Sequence, residues 1–304
     1  MKTNSSFLRK SRWPLVALFL GLTGILCMHA VAVVKDELHF LDPARMGLTL
    51  PDDKWQEVSF STVDQLKLAG WYSPTQNGQT ILILHGFGGN RGQVLPVAKM
   101  LRDQGFGVLS YDTRAHGQSD GKEIGYGETE VRDVKAALDW LESREEVDVT
   151  RIGVYGFSLG GYIALQEAVT DQRIATMVLT STPSTLFGLG IDEGGGGIKG
   201  WFDASLRYAA AKATGLTRYE FSGPKSIKAL EGRPLLFIAA ENDEIVSPVR
   251  AWELFEAAGY PKAIAIFPNA QHRDIEQADS VRFNKLILNH FKRTLGKRRV
   301  ISGR

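Results

Sequence analysis

Two stretches near the start of the globular part, residues 57–61 and 66–71, alternate apolar and polar side chains. That period of two suits a hairpin with one wet face. Six later stretches are short apolar runs instead: 80–84 (TILIL), 107–111 (GVLSY), 152–155 (IGVY), 177–180 (MVLT), 235–239 (LLFIA) and 263–267 (AIAIF). Runs of this length suit strands covered on both faces. Residues 128–141 and 281–295, which fall between and after these strands, carry a helical period. Strands alternating with helices predict an α/β fold, with a mostly parallel sheet, helices on both faces and an antiparallel pair at one edge.

The alternation lapses once. Between about residues 183 and 233 no strand pattern occurs. Four successive glycines, Gly194 to Gly197, follow Asp192-Glu193 and read as a flexible joint. After them, Phe202, Leu206, Ala209 and Ala213 share one helical face. An insertion of this length between two strands predicts a helical cap at about 183–232, with that apolar face as its lining. The expected organisation is one α/β domain over 50–295 and a basic tail over 296–304. No internal repeat or second domain boundary is visible.

The first 34 residues follow another pattern. Lys2, Arg9, Lys10 and Arg12 precede residues 13–34, a run without a formal charge, His29 being taken as neutral. As a helix it would be about 33 Å long, enough for a bilayer core of about 30 Å. The basic flank over 1–12 predicts a single-pass signal-anchor in the cytoplasmic membrane, with the N-terminus inside and the remainder outside. Ala30-Val31-Ala32 leaves open cleavage near Ala32 and release as a secreted or periplasmic protein.

Composition narrows the function classes. The net charge of +2 offers no general field for nucleic acid, and the basic excess is confined to the two ends. The lone cysteine, Cys27, lies inside the apolar run, so the globular part can hold neither a disulfide nor a cysteine metal site.

The chemistry begins at Gly156-Phe157-Ser158-Leu159-Gly160, a G-x-S-x-G pattern between a predicted strand and a predicted helix. A very tight strand-to-helix turn needs small residues two before and two after the serine. It pushes the hydroxyl out over the sheet, beside the positive end of a helix dipole. Serine needs a base. Only His272 and His290 follow Ser158, the order expected of this fold. His290 sits mid-helix beside Phe291 and reads as a helix-surface residue. His272 follows a turn-rich stretch just after a strand, where a base belongs. The acid is expected after the preceding strand, where Asp243 is favoured and Glu241 and Glu244 are alternatives. His85-Gly86-Phe87-Gly88-Gly89-Asn90 follows the first buried strand, and the Phe87 and Leu159 backbone N–H groups are the predicted oxyanion donors. The loop lacks the third glycine of a dinucleotide fingerprint, Arg91 standing there. No metal or organic cofactor is expected.

These residues resemble a bacterial α/β hydrolase of the group that includes serine aminopeptidase-like and monoacylglycerol-lipase-like proteins. Residues 112–119 resemble that group's D-x-R-G-H-G-x-S block, with Ala115 in place of the usual glycine, so the local turn is expected to differ. The block is read as scaffold near the site. The resemblance and the residue reading imply the same chemistry. A Ser158-His272-Asp243 triad would cleave carboxylic esters, from small molecules or lipids, through an acyl-enzyme. A peptidase or acyltransferase on the same triad is the alternative.

Overall fold

A computed structural model of the chain describes residues 48–213 and 217–296, together with scattered positions between 16 and 32. Most of the run at 13–34, and the basic ends at 1–12 and 297–304, lie outside the described residues. The expected anchor therefore falls largely outside what the structure describes. Among the described residues no helix is long and apolar enough to cross a membrane.

Eight strands form one sheet: β1 Gln56–Ser61, β2 Lys67–Ser73, β3 Thr80–Leu84, β4 Gly107–Tyr111, β5 Ile152–Phe157, β6 Ile174–Thr180, β7 Leu235–Ala240 and β8 Lys262–Phe267. The spatial order is β1-β2-β4-β3-β5-β6-β7-β8. β2 pairs antiparallel with both β1 and β4, and every other pairing is parallel. The alternating strands are the antiparallel edge. The apolar runs β3 to β7 are the interior, where both faces are covered, and the apolar β8 is the opposite edge, mostly half-buried.

Seven longer helices accompany the sheet: α1 Leu95–Arg102, α2 Val131–Glu142, α3 Leu159–Thr170, α4 Leu186–Glu193, α5 Gly197–Ala213, α6 Pro248–Ala257 and α7 Ser280–Thr294. The strand period of two divides the core between the faces. Leu82, Leu84, Val154, Met177 and Leu179 pack with Val134 and Leu138 of α2 and with Ile163 of α3. Ile81, Ile83, Tyr155 and Val178 pack with Val97 and Leu101 of α1 and with Phe283, Ile287 and Phe291 of α7. Burying each such side chain contributes about 1.5–3 kcal/mol.

His290 departs from its expected place. It is buried, and its Nε2 lies 2.7 Å from the Thr176 hydroxyl, which donates to the Pro234 carbonyl. That hydroxyl proton is already committed, so Nε2–H is the donor. Burial, and secondarily the charge of Arg293, lowers its pKa to about 4. A neutral imidazole can occupy a core position of α7 as an aromatic, which a charged surface residue could not.

The topology also places the site. The chain leaves β3 for β4 on one side and then crosses to β5 on the other. At such a reversal the loops leaving the two central strands part and open a crevice at their carboxyl ends. Here those loops are the His85–Asn90 segment after β3 and the Ser158 turn after β5.

Candidate active site

Ser158 caps α3 with φ +52° and ψ −123°. Side chains rarely adopt that region, and holding one there costs about 1–3 kcal/mol. The surroundings enforce it. The Ser158 N–H donates to the Thr180 carbonyl at 2.8 Å. A Cβ on Gly156 would stand 2.4 Å from the Gly161 Cα, and one on Gly160 2.4 Å from the His85 carbonyl oxygen. The glycines thus let α3 press directly onto β5 and onto the loop after β3.

Of the candidate residues, the fold brings three into one hydrogen-bonded series. His272 Nε2 lies 3.0 Å from Ser158 Oγ, and His272 Nδ1 lies 2.8 Å from Asp243 Oδ2. All three residues are buried. Asp243, just beyond β7, accepts the Ile245 and Val246 N–H groups on Oδ1, at 3.0 and 2.7 Å. These bonds fix the carboxylate plane against the imidazole. Among the contacts that hold the loop carrying His272, Asn242 N–H donates to the Ala270 carbonyl and Gln271 N–H donates to Asp274 Oδ1. The two other candidate acids stand elsewhere. Glu241 accepts the Asn269 N–H, and Glu244 lines the cleft without bonding to the imidazole.

Phe87 and Leu159 both line a cleft of about 530 Å³ in front of Ser158. Leu159 is the first residue of α3, where a backbone N–H has no partner within the helix. Histidine, carboxylate and hydroxyl in series suit proton transfer from Ser158, with amide donors nearby for an oxygen that gains charge.

The 112–119 block holds the loop after β3. Buried Asp112 accepts the Arg91 N–H at 2.7 Å and the Gln118 N–H at 2.8 Å, and pairs with the Arg91 guanidinium. His85 accepts the Thr113 N–H on Nε2, so its Nδ1–H faces the Gly86 carbonyl. Burial lowers the His85 pKa to about 4, keeping it neutral. Ala115 has φ +59°, so the alanine holds a left-handed turn that a glycine would take without strain.

Sequence reasoning missed several cleft residues: Gln93, Tyr126, Leu189, Glu193, Ile245 and Arg273. Tyr126 was discoverable, because Gly125 and Gly127 flank an aromatic residue. It has φ +52° and stacks on Phe87 with ring centres 5.5 Å apart. Behind this pair a side pocket of about 180 Å³ runs under Leu186, Leu189 and Tyr219 to the Glu193–Arg207 ion pair.

The cap differs from expectation in its lining and its joint. Phe202 and Ala209 of α5 face solvent; α4 supplies the cleft residues Leu189 and Glu193 instead. Gly195, Gly196 and Gly197 all have positive φ, between +58° and +83°. They form a tight reversal rather than a loose joint. A Cβ on Gly200 would stand 2.2 Å from the Ile191 carbonyl oxygen, so α4 and α5 touch backbone to backbone. Asp192 then pairs with Arg250 of α6, securing the hairpin to the sheet domain.

This sheet, with its crossover and serine turn, defines an α/β-hydrolase architecture, and comparison with known proteins agrees. The family described by the alpha/beta hydrolase fold matches residues 79–222. The Mycobacterium tuberculosis protein Rv2307c is 28% identical over 249 residues, covering 81% of each chain. The alpha/beta hydrolase domain-containing protein WAV2 of Arabidopsis thaliana is 27% identical over 245 residues, 77% of this chain and 76% of its own. A solved structure of the Pyrococcus furiosus esterase Pf2001 superposes with a TM-score of 0.69 at 25% identity, over 83% of this chain and 96% of that one. The family match and these likenesses support the α/β-hydrolase superfamily.

Proposed function

We propose that this protein is a serine hydrolase of carboxylic esters working through an acyl-enzyme. The observation that carries the reading is the unbroken series from Ser158 Oγ through His272 to Asp243, at 3.0 and 2.8 Å. His272 Nε2 takes the hydroxyl proton as Ser158 Oγ attacks the ester carbonyl. Asp243 holds the Nδ1–H tautomer and stabilises the imidazolium. The Phe87 and Leu159 N–H groups receive the oxyanion. His272 then protonates the departing alkoxide, and water, deprotonated by His272, releases the acid from Ser158.

An ester substrate is supported by the likeness to the P. furiosus esterase. It is also supported by the apolar part of the cleft wall, namely Phe87, Tyr126, Phe157, Leu159, Leu189 and Ile245. The test is covalent labelling with a fluorophosphonate, followed by turnover on p-nitrophenyl esters and aminoacyl amides. Ser158→Ala should lose the label and remain folded. Asp243→Asn should cut kcat by ~10³–10⁴-fold, and Glu241→Gln and Glu244→Gln far less. Persistent labelling of Ser158→Ala would remove the nucleophile assignment. Faster turnover of amides than of esters would move the enzyme to the peptidases.

We further infer, from the sequence alone, that residues 13–34 tether the hydrolase to the outer side of the cytoplasmic membrane. The support is the uncharged run and the basic residues that precede it.

A further inference from the structure

We propose that His116 and Gln93 are positioning residues that aim the Phe87 N–H at the reacting carbonyl oxygen. The inference rests on the serine-hydrolase reading above. Three glycines surround Phe87 in Gly86-Phe87-Gly88-Gly89. A glycine-rich backbone has little steric preference of its own, so the direction of the Phe87 amide must be set by hydrogen bonds. Both neighbouring amides are held by side chains. The Gly86 N–H donates to Gln93 Oε1 at 2.9 Å, and the Gly88 N–H donates to His116 Nε2 at 3.1 Å. The Gly89 N–H closes the turn on the Gly86 carbonyl at 3.1 Å.

The tautomer of His116 follows from its partners. Nδ1 lies 2.9 Å from the Arg114 carbonyl, an acceptor, so the proton is on Nδ1 and the Nε2 lone pair faces Gly88. Arg114 is held in turn by bonds to Asp133 and Asp64. The chain of contacts thus runs from α2 through Arg114 and His116 to the loop. His116 is 1% exposed and does not line the cleft, so it acts on substrate only through the loop. Gln93 is exposed and lines the cleft from the other side.

An amide donor stabilises the transition state only when it points at the oxygen as charge develops, and the ground-state ester gains little from it. Loss of either clamp should therefore lower kcat and the affinity for a tetrahedral mimic together, with KM nearly unchanged. The experiment compares wild type, Gln93→Met, His116→Leu and His116→Gln on one p-nitrophenyl ester. Inhibition by a trifluoromethyl ketone is measured alongside. Gln93→Met and His116→Leu should each lose about tenfold in kcat and about tenfold in trifluoromethyl ketone affinity, a fraction of what deleting an oxyanion donor costs. His116→Gln, which restores an acceptor oxygen, should recover most of that loss. If His116→Leu does not fold, exposed Gln93→Met carries the test by itself. Unchanged kcat and ketone affinity would overturn the proposal. So would a loss spread equally over KM and kcat that His116→Gln does not repair, since that pattern marks a merely structural role. Wild-type protein that is never labelled at Ser158 by a fluorophosphonate overturns the hydrolase reading as well. Labelled wild type with inert clamps overturns this inference only.

Discussion

Ser158 is a side chain kept where a glycine would rest more easily, at φ +52°. The strain serves presentation, because the tight turn leaves the hydroxyl at the open end of the sheet within reach of His272. Two inactive variants isolate that cost. Ser158→Gly and Ser158→Ala both lack the proposed nucleophile, but only glycine relieves the backbone. Ser158→Gly should be the more stable by about 1 kcal/mol in thermal or urea unfolding. A Ser158→Gly variant less stable than Ser158→Ala by the ~0.5–1 kcal/mol that glycine's extra chain entropy costs would mean that the turn carries no strain.

A second residue-scale expectation concerns Glu167, buried on α3. Burial, then the charge of Asp171, raises its pKa from the ordinary 4.5 to about 7. The folded state therefore holds this proton more firmly than the unfolded chain does. The resulting stability is complete below pH 4.5 and is lost as pH rises through 7. Glu167→Gln removes the dependence. Its melting temperature relative to wild type should thus be higher at pH 8 than at pH 5. The same difference at both values would show that Glu167 titrates normally.

Among the elements, the cap hairpin of α4 and α5 sets which groups meet the cleft. Its close helix contact depends on Gly200, and its reversal on three glycines in the left-handed region. Leu189 faces both the cleft and the side pocket, whereas Trp201 and Phe202 are more than half exposed. Leu189→Trp should fill the side pocket and shift the preference among p-nitrophenyl esters towards shorter acyl chains. Trp201→Ala and Phe202→Ala should leave that profile unchanged. If Leu189→Trp retains the wild-type ratio of short to medium chains, the side pocket holds no part of the acyl group. The helical period of α5 marked an apolar stripe but not its direction. Helices in a hairpin bury whichever face permits close approach, and here that face is Gly200, Ala204 and Ala211.

For the whole molecule, the crossover at β3 gathers residues far apart in the chain. Ser158 and His272 are 114 positions apart and His272 and Asp243 29, yet each pair is hydrogen-bonded. The site therefore reports on the complete sheet, since β7 and β8 must both dock for the imidazole to reach the serine. The proposed tether makes a prediction at this scale as well. Full-length protein should stay in the membrane fraction through alkaline carbonate extraction, and external protease should reach its hydrolase domain in spheroplasts. A chain found soluble with its N-terminus near Val33 would remove the tether.

The sequence by itself determined every strand, because a strand buried on two faces must be a continuous apolar run and one buried on a single face must alternate. It also determined the serine turn, since only small residues at 156 and 160 allow the helix to fold back on the strand. Strand order, the burial of His290, the outward face of α5 and the clamps on the Phe87 loop were decided by the tertiary structure. Each depends on a partner distant in the chain, Thr176 for His290 or Gln93 and His116 for the loop. Periodicity is a local signal that records that a face is covered without recording by what.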